Sequence, residues 1–145
     1  MRASLRIDGK YLMTRLAAIL TLLALAGCGT APAAKSQAVD LGAEVTLAPG
    51  ATASVNTAKF NVHFVAVTED SRCPRDVTCI WAGEVKVEFE IQESARNATS
   101  VVILEGGNSV VGTYRVTLVR VEPAPRSTAR IASQDYRATI VVEKQ

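Results

Sequence analysis

Glu84-Val-Lys-Val-Glu-Phe-Glu-Ile-Gln92 alternates without interruption: Val85, Val87, Phe89 and Ile91 fall on one face, and Glu84, Lys86, Glu88 and Glu90 on the other. Successive side chains of an extended chain point to opposite sides, so a period of two with one apolar face predicts a half-buried β-strand. Working outward, the pattern recurs. Upstream, Lys59–Val67 sets Phe60, Val62 and Phe64 against Asn61 and His63, and Glu44-Val-Thr-Leu47 runs into the turn sequence Ala48-Pro-Gly-Ala51. Downstream, the polar turn Ser94–Asn97 leads to a strand over Thr99–Leu104, and Gly106-Gly-Asn108 is a hairpin signal. A long strand is expected over Val110–Val121, closed by Pro123-Ala-Pro125, since proline cannot donate to a ladder. The last strand spans Tyr136–Val142. About seven short strands and no amphipathic helix predict an all-β domain, a single antiparallel β-sandwich with immunoglobulin-like topology expected.

Between two of these strands lies Asp70-Ser-Arg-Cys-Pro-Arg-Asp-Val-Thr-Cys-Ile-Trp-Ala-Gly83, which carries Cys73, Cys79 and the only tryptophan of the chain. Asp70 and Ser71 can bond nearby backbone and open a turn. Pro74 fixes its own φ and pushes Cys73 into an extended conformation. In an exported protein so close a cysteine pair reads as a disulfide, and the C-x₅-C spacing is not that of a redox motif or zinc knuckle. Val77 and Ile80 are expected to turn inward, Trp81 to cover the staple, and Gly83 to mark a bulge or close backbone approach. The functional alternative is that the ring presents Arg72, Arg75 and Asp76 rigidly to a partner, with Trp81 able to stack on a sugar.

The N-terminal region carries its own address. A basic segment precedes the apolar run Leu16–Ala26, which is too short to cross a ~30 Å hydrocarbon core and reads as the core of a signal peptide. Met13-Thr-Arg15 with that run already makes a complete leader, so Met13 is an alternative start. Leu25-Ala26-Gly27-Cys28 resembles the lipobox of bacterial lipoproteins. The resemblance implies cleavage before Cys28 and acylation of its sulfur, the nucleophile that takes the lipid. The division expected is a signal peptide over 1–27, a lipidated N-terminus and flexible tether over 28–41, and the β-domain over 42–145. Gly29 is not the Asp that resembles an inner-membrane retention signal, so the expected location is the outer membrane, facing the periplasm.

Asp70–Gly83 also resembles, throughout its length, a signature Asp-Ser-Arg-Cys-Pro-x-x-Val-x-Cys-x-Trp-Ala-Gly found in small uncharacterised bacterial lipoproteins. Pro123, Pro125 and Tyr136 resemble the C-terminal part of the same family. That likeness implies an envelope lipoprotein and brings no catalytic residue, cofactor or ligand with it.

Charge narrows the function classes. Four cations and one anion sit in the leader, and from Cys28 onward 12 Lys and Arg face 13 Asp and Glu, close to −1. Without a basic block there is no electrostatic case for nucleic acid. His63 is the only histidine and alternates away from Phe60, Val62 and Phe64, as a half-exposed strand residue does; no acid can be placed beside it for a triad. Glu69, Asp70 and Asp76 match no calcium-loop spacing and read as surface charge, so no metal site is assigned. The expectation is a non-catalytic binding or structural domain, without a cofactor, held to the bilayer through acylated Cys28 and meeting an envelope protein or glycan. Two alternatives are a protease-inhibitor-like loop offering Arg75 and an envelope hydrolase centred on His63.

Overall fold

A computed structural model describes residues 35–145, so the expected signal peptide, the lipobox and Cys28 lie outside the described residues. Nine strands form two sheets: β1 Ser36–Ala38, β2 Glu44–Leu47, β3 Thr52–Val55, β4 Phe60–Asp70, β5 Val85–Glu93, β6 Thr99–Leu104, β7 Asn108–Val111, β8 Tyr114–Glu122 and β9 Arg137–Lys144. One sheet has the order β1-β3-β4-β5-β6 and the other β2-β9-β8-β7. The fold is all-β, as the alternation predicts.

The apolar faces meet as expected. Phe60, Val62 and Phe64 on β4, and Val85, Val87, Phe89 and Ile91 on β5, are completely buried. They face Leu47, Val116, Leu118, Ala138, Ile140 and Val142 of the second sheet. Phe64 and Phe89 stand opposite one another across the β4–β5 ladder with ring centroids 5.6 Å apart. Phe60 contacts Tyr114 of the facing sheet at 4.7 Å. Aromatic pairs at such tilted geometry add to the gain from area burial alone.

Three expectations are corrected. The long strand over Val110–Val121 is instead the β7–β8 hairpin, broken at Gly112, whose φ of +62° turns the chain. The immunoglobulin-like topology is not the order seen: β3 to β6 run as one meander and β7 to β9 as another, whereas immunoglobulin strands pass repeatedly between sheets. The domain begins before residue 42, because Ser36–Ala38 pairs in parallel with Thr52–Ser54. Exposed along its whole length, β1 has no apolar face to betray it and is held by backbone bonds and a 3.0 Å contact between the Ser36 and Ser54 hydroxyls.

Two irregularities in the β4–β5 ladder decide how β4 ends. The register shifts between Phe64 and Ala66 and again between Val67 and Glu69. Each extra residue exchanges the two faces of the strand. The first shift turns Val67 inward, opposite buried Val87; the second returns Asp70 inward, opposite buried Val85. A carboxylate is thereby delivered to the open end of the sandwich.

Candidate functional site

Asp70 meets its counter-charge two residues on. Arg72 donates from Nε to Asp70 Oδ1 at 2.8 Å and from Nη2 to Oδ2 at 2.6 Å, a two-point pairing of guanidinium with carboxylate. Its backbone N–H adds a third, longer bond to Oδ1 (3.3 Å), and the Tyr136 hydroxyl donates to Oδ2 at 3.1 Å. The rest of the guanidinium is spent on the second sheet: Nη1 donates to the Val121 carbonyl at 2.6 Å and Nη2 to that of Pro123 at 3.1 Å. Glu105, in the β6–β7 turn, lies 3.7 Å from Arg72 Nη1 and accepts the Val121 backbone N–H at 2.8 Å. The Arg72 and Asp70 side chains are only 13 % and 10 % exposed.

Burial alone would raise the Asp70 carboxyl, but the hydrogen bonds and charge of Arg72, with the Tyr136 hydroxyl, hold it below its ordinary value. The bond to Asp70 raises Arg72 further, against its burial, and burial beside the carboxylate raises Tyr136. Arg72 is therefore an internal tie between the two sheets and does not face a partner. The expectation that it would be presented outward is corrected. Its signal was in the chain: Asp70 and Arg72 are spaced by two, so an extended backbone puts both on one side.

Above this tie the loop is clamped repeatedly. Ser71 exchanges backbone and hydroxyl bonds with Glu84, and the Cys73 N–H donates to the Ala82 carbonyl at 2.9 Å. Cys73 and Cys79 are disulfide-bonded with their Cα atoms 5.9 Å apart, as the spacing predicts. Gly83 has φ +70°, and a Cβ there would collide with the Ser71 carbonyl oxygen, so the two legs of the loop can approach only at glycine. A turn over Pro74–Val77 closes with the Val77 N–H on the Pro74 carbonyl.

That turn is docked on the segment after β8. The Arg75 N–H donates to the Pro125 carbonyl at 3.1 Å. The Asp76 carboxylate receives both the backbone N–H of Ser127, at 2.9 Å, and its hydroxyl. These two bonds lower the Asp76 carboxyl below its ordinary value. Asp76 thus holds two loops together, and Arg75, although exposed, sits at the centre of a turn rather than on an extended loop.

Beside the exposed Arg75, Asp76 and Thr78, the clamped loop offers large apolar side chains to solvent. Ile80 is 95 % and Trp81 83 % exposed, with Val77 half exposed. The expectation that Val77 and Ile80 turn inward and Trp81 covers the staple is overturned. The core below the loop is filled by the buried Phe64, Val85 and Phe89, with the Arg72 tie above them. Of the other exposed large apolar side chains, Val102, Leu104 and Val110 lie on the edge strands β6 and β7, and Leu41 precedes β2.

The remaining candidates are dispersed. His63 is half-buried on β4, and its Nδ1 lies 3.1 Å from the Thr52 hydroxyl; no carboxylate bonds to it among the described residues. It borders a shallow depression with Ser36, Asn61, Glu90 and Gln92. Glu69 pairs with Lys86 at 2.8 Å, Asp70 with Arg72 and Asp76 with Ser127, so these three acids do not converge. Among the described residues no cluster of metal-ligating side chains forms. Comparisons of the chain with protein-family models, with curated proteins and with solved structures each return no match.

Proposed function

We propose that the protein is a lipid-anchored lipoprotein of the bacterial cell envelope whose β-sandwich is a non-catalytic binding domain, with the Cys73–Cys79 loop as its contact surface. The observation that carries the contact surface is the exposure of Ile80 and Trp81 on a loop held by a disulfide, by Gly83 and by the ties to Pro125 and Ser127. Leaving two large apolar side chains in water is a standing cost, and fixing them beforehand lowers the entropy lost on contact. The lipobox-like Leu25–Cys28 supports the anchor, and the Asp70–Gly83 signature supports membership of the small lipoprotein family. An inhibitor-like role for Arg75 has less support, since its backbone N–H is engaged by Pro125 within a turn. A hydrolase centred on His63 has less support, since among the described residues the ring's one side-chain hydrogen bond is to the Thr52 hydroxyl.

Two measurements test the reading. Cys28→Ser should release the protein from the membrane fraction, and unchanged detergent partitioning would overturn the anchor. A photo-crosslinking residue placed at position 80 in the full chain should form an adduct in cells. Absence of any adduct there, with adducts at an edge-strand position such as 102, would remove the loop as the contact surface.

A further inference from the structure

The direction of β1 bears on what the loop touches. β1 runs parallel to β3, and β3 antiparallel to β4, so the chain upstream of Ser36 enters from the end of the sandwich at which β4 finishes. That is the end that carries the stapled loop. The Lys35 carbonyl accepts the Thr52 N–H at 3.0 Å, level with His63 and Phe64. From Phe64 to Asp70 the two register shifts match six steps along β4 to the four from Phe89 to Val85, so the strand advances about 13 Å at roughly 3.3 Å per residue. Seven peptide links separate Cys28 from Lys35, a covalent span of at most about 25 Å. An anchor at Cys28 that follows the course set by β1 therefore reaches about the level of the loop.

That end also has the matching chemistry. Ile80 and Trp81 project from it, and Arg75, Arg126 and Arg130 are exposed in the stapled loop and the segment docked against it. The opposite end is built from the turns Asn56–Lys59 and Ser94–Ala98 and the β7–β8 hairpin, with Leu41 and Val110, which pairs with Arg115 beside that hairpin, as its exposed large apolar residues among those described. A tip of two protruding side chains covers far less than the ~800 Å² per partner of a stable protein interface. Two such side chains suffice for a bilayer when a tether keeps them beside it, since tethering supplies millimolar-scale effective concentration. Trp at the interface, with cations at headgroup depth, is the composition that such surfaces select.

We propose that the stapled loop is a bilayer-docking element: Ile80 and Trp81 enter the interfacial layer of the membrane that holds the Cys28 acyl chains, and Arg75, Arg126 and Arg130 lie at the level of the headgroup phosphates. This rests on the anchored reading above and names the partner of the same loop.

Trp81 is the only tryptophan, so its fluorescence reports the tip alone. The acylated full chain is reconstituted into phosphatidylcholine–phosphatidylglycerol vesicles with and without brominated acyl chains, and flotation confirms association. Cys28→Ser protein in buffer gives the exposed reference. Docking is expected to move the emission to shorter wavelength, to reduce quenching by iodide, and to cause loss of intensity with brominated lipid. A floating protein whose Trp81 is quenched by iodide as fully as the reference overturns the docking and leaves the anchor standing. Shielding from iodide with no effect of brominated lipid also overturns it, in favour of a protein surface over the loop. Acylated protein that fails to float overturns the anchor, and the docking with it.

Discussion

Arg72 donates 2.6 Å to the main-chain carbonyl of Val121, so a side chain of the stapled loop is joined to the last buried residue of β8 in the other sheet. The sandwich is closed at this end by a charge-assisted bond instead of an apolar plug. Because the same guanidinium neutralises Asp70, loop position and sheet spacing depend on one residue.

Replacing it isolates that dependence. Arg72→Ala leaves the Asp70 carboxylate buried without its cation and the Val121 and Pro123 carbonyls without a donor, and should cost about 3 kcal/mol. Urea unfolding of wild type and variant measures it. A change below about 0.5 kcal/mol would place the arginine among ordinary surface residues.

The same cluster shapes the response to pH. Asp70 is held below its ordinary value of 3.8, so between the two values the unfolded chain takes up a proton that the native chain refuses. Its contribution is complete above about pH 5 and is lost as pH falls through the lowered value. Tyr136 is raised above 10.0, so in alkali the unfolded chain gives up its proton first, and its contribution is lost as pH rises through the raised value. Tyr136→Phe should flatten the alkaline limb of a stability-against-pH curve relative to wild type, and leave the acid limb in place but weakened.

Trp81→Ala should change unfolding stability by no more than about 0.5 kcal/mol, because an 83 % exposed indole fills no cavity. A loss of several kcal/mol in the urea midpoint analysis would mean that the ring packs against the domain.

Gly83→Ala should be costly despite its small size. The added methyl meets the Ser71 carbonyl at a backbone conformation with φ +70°, and the expected loss exceeds about 2 kcal/mol. Gly50→Ala, at φ +81° with open space around it, should cost less in the same assay, since only the backbone term applies. Equal losses would show that the close approach to Ser71 contributes nothing.

The sandwich was legible where alternation met burial. Val85, Val87, Phe89 and Ile91 could be assigned to the core because a period of two has one physical meaning when one face is apolar. β1 was illegible for the converse reason: Ser36-Gln-Ala38 buries nothing, and its place comes from pairing partners sixteen residues on. The hairpin at Gly112 was hidden because Val110–Val121 alternates straight through the turn. In the candidate site the disulfide and the demand for glycine at position 83 followed from spacing and backbone chemistry. The fates of Arg72 and Trp81 were exchanged, since a preference for burial was read from residue type. The two bulges in β4 cancel, so Asp70 returns to the face of Phe60, Val62 and Phe64, where the arginine two residues on meets it.

The attachment of β1 has a mechanical consequence. If Cys28 carries the proposed anchor and that anchor is pulled, the load enters through three residues of an edge strand lying along the line of traction, so their ladder is sheared together instead of being unzipped bond by bond. Little apolar packing backs that strand, and it would be the first to yield. Its release would free Ser36–Ala38, lengthening the leash by roughly 10 Å at full extension, before Val39, bonded to the Ser54 carbonyl and packed on the core, takes the load. β1 would then act as a fuse that gives slack before the domain itself is strained.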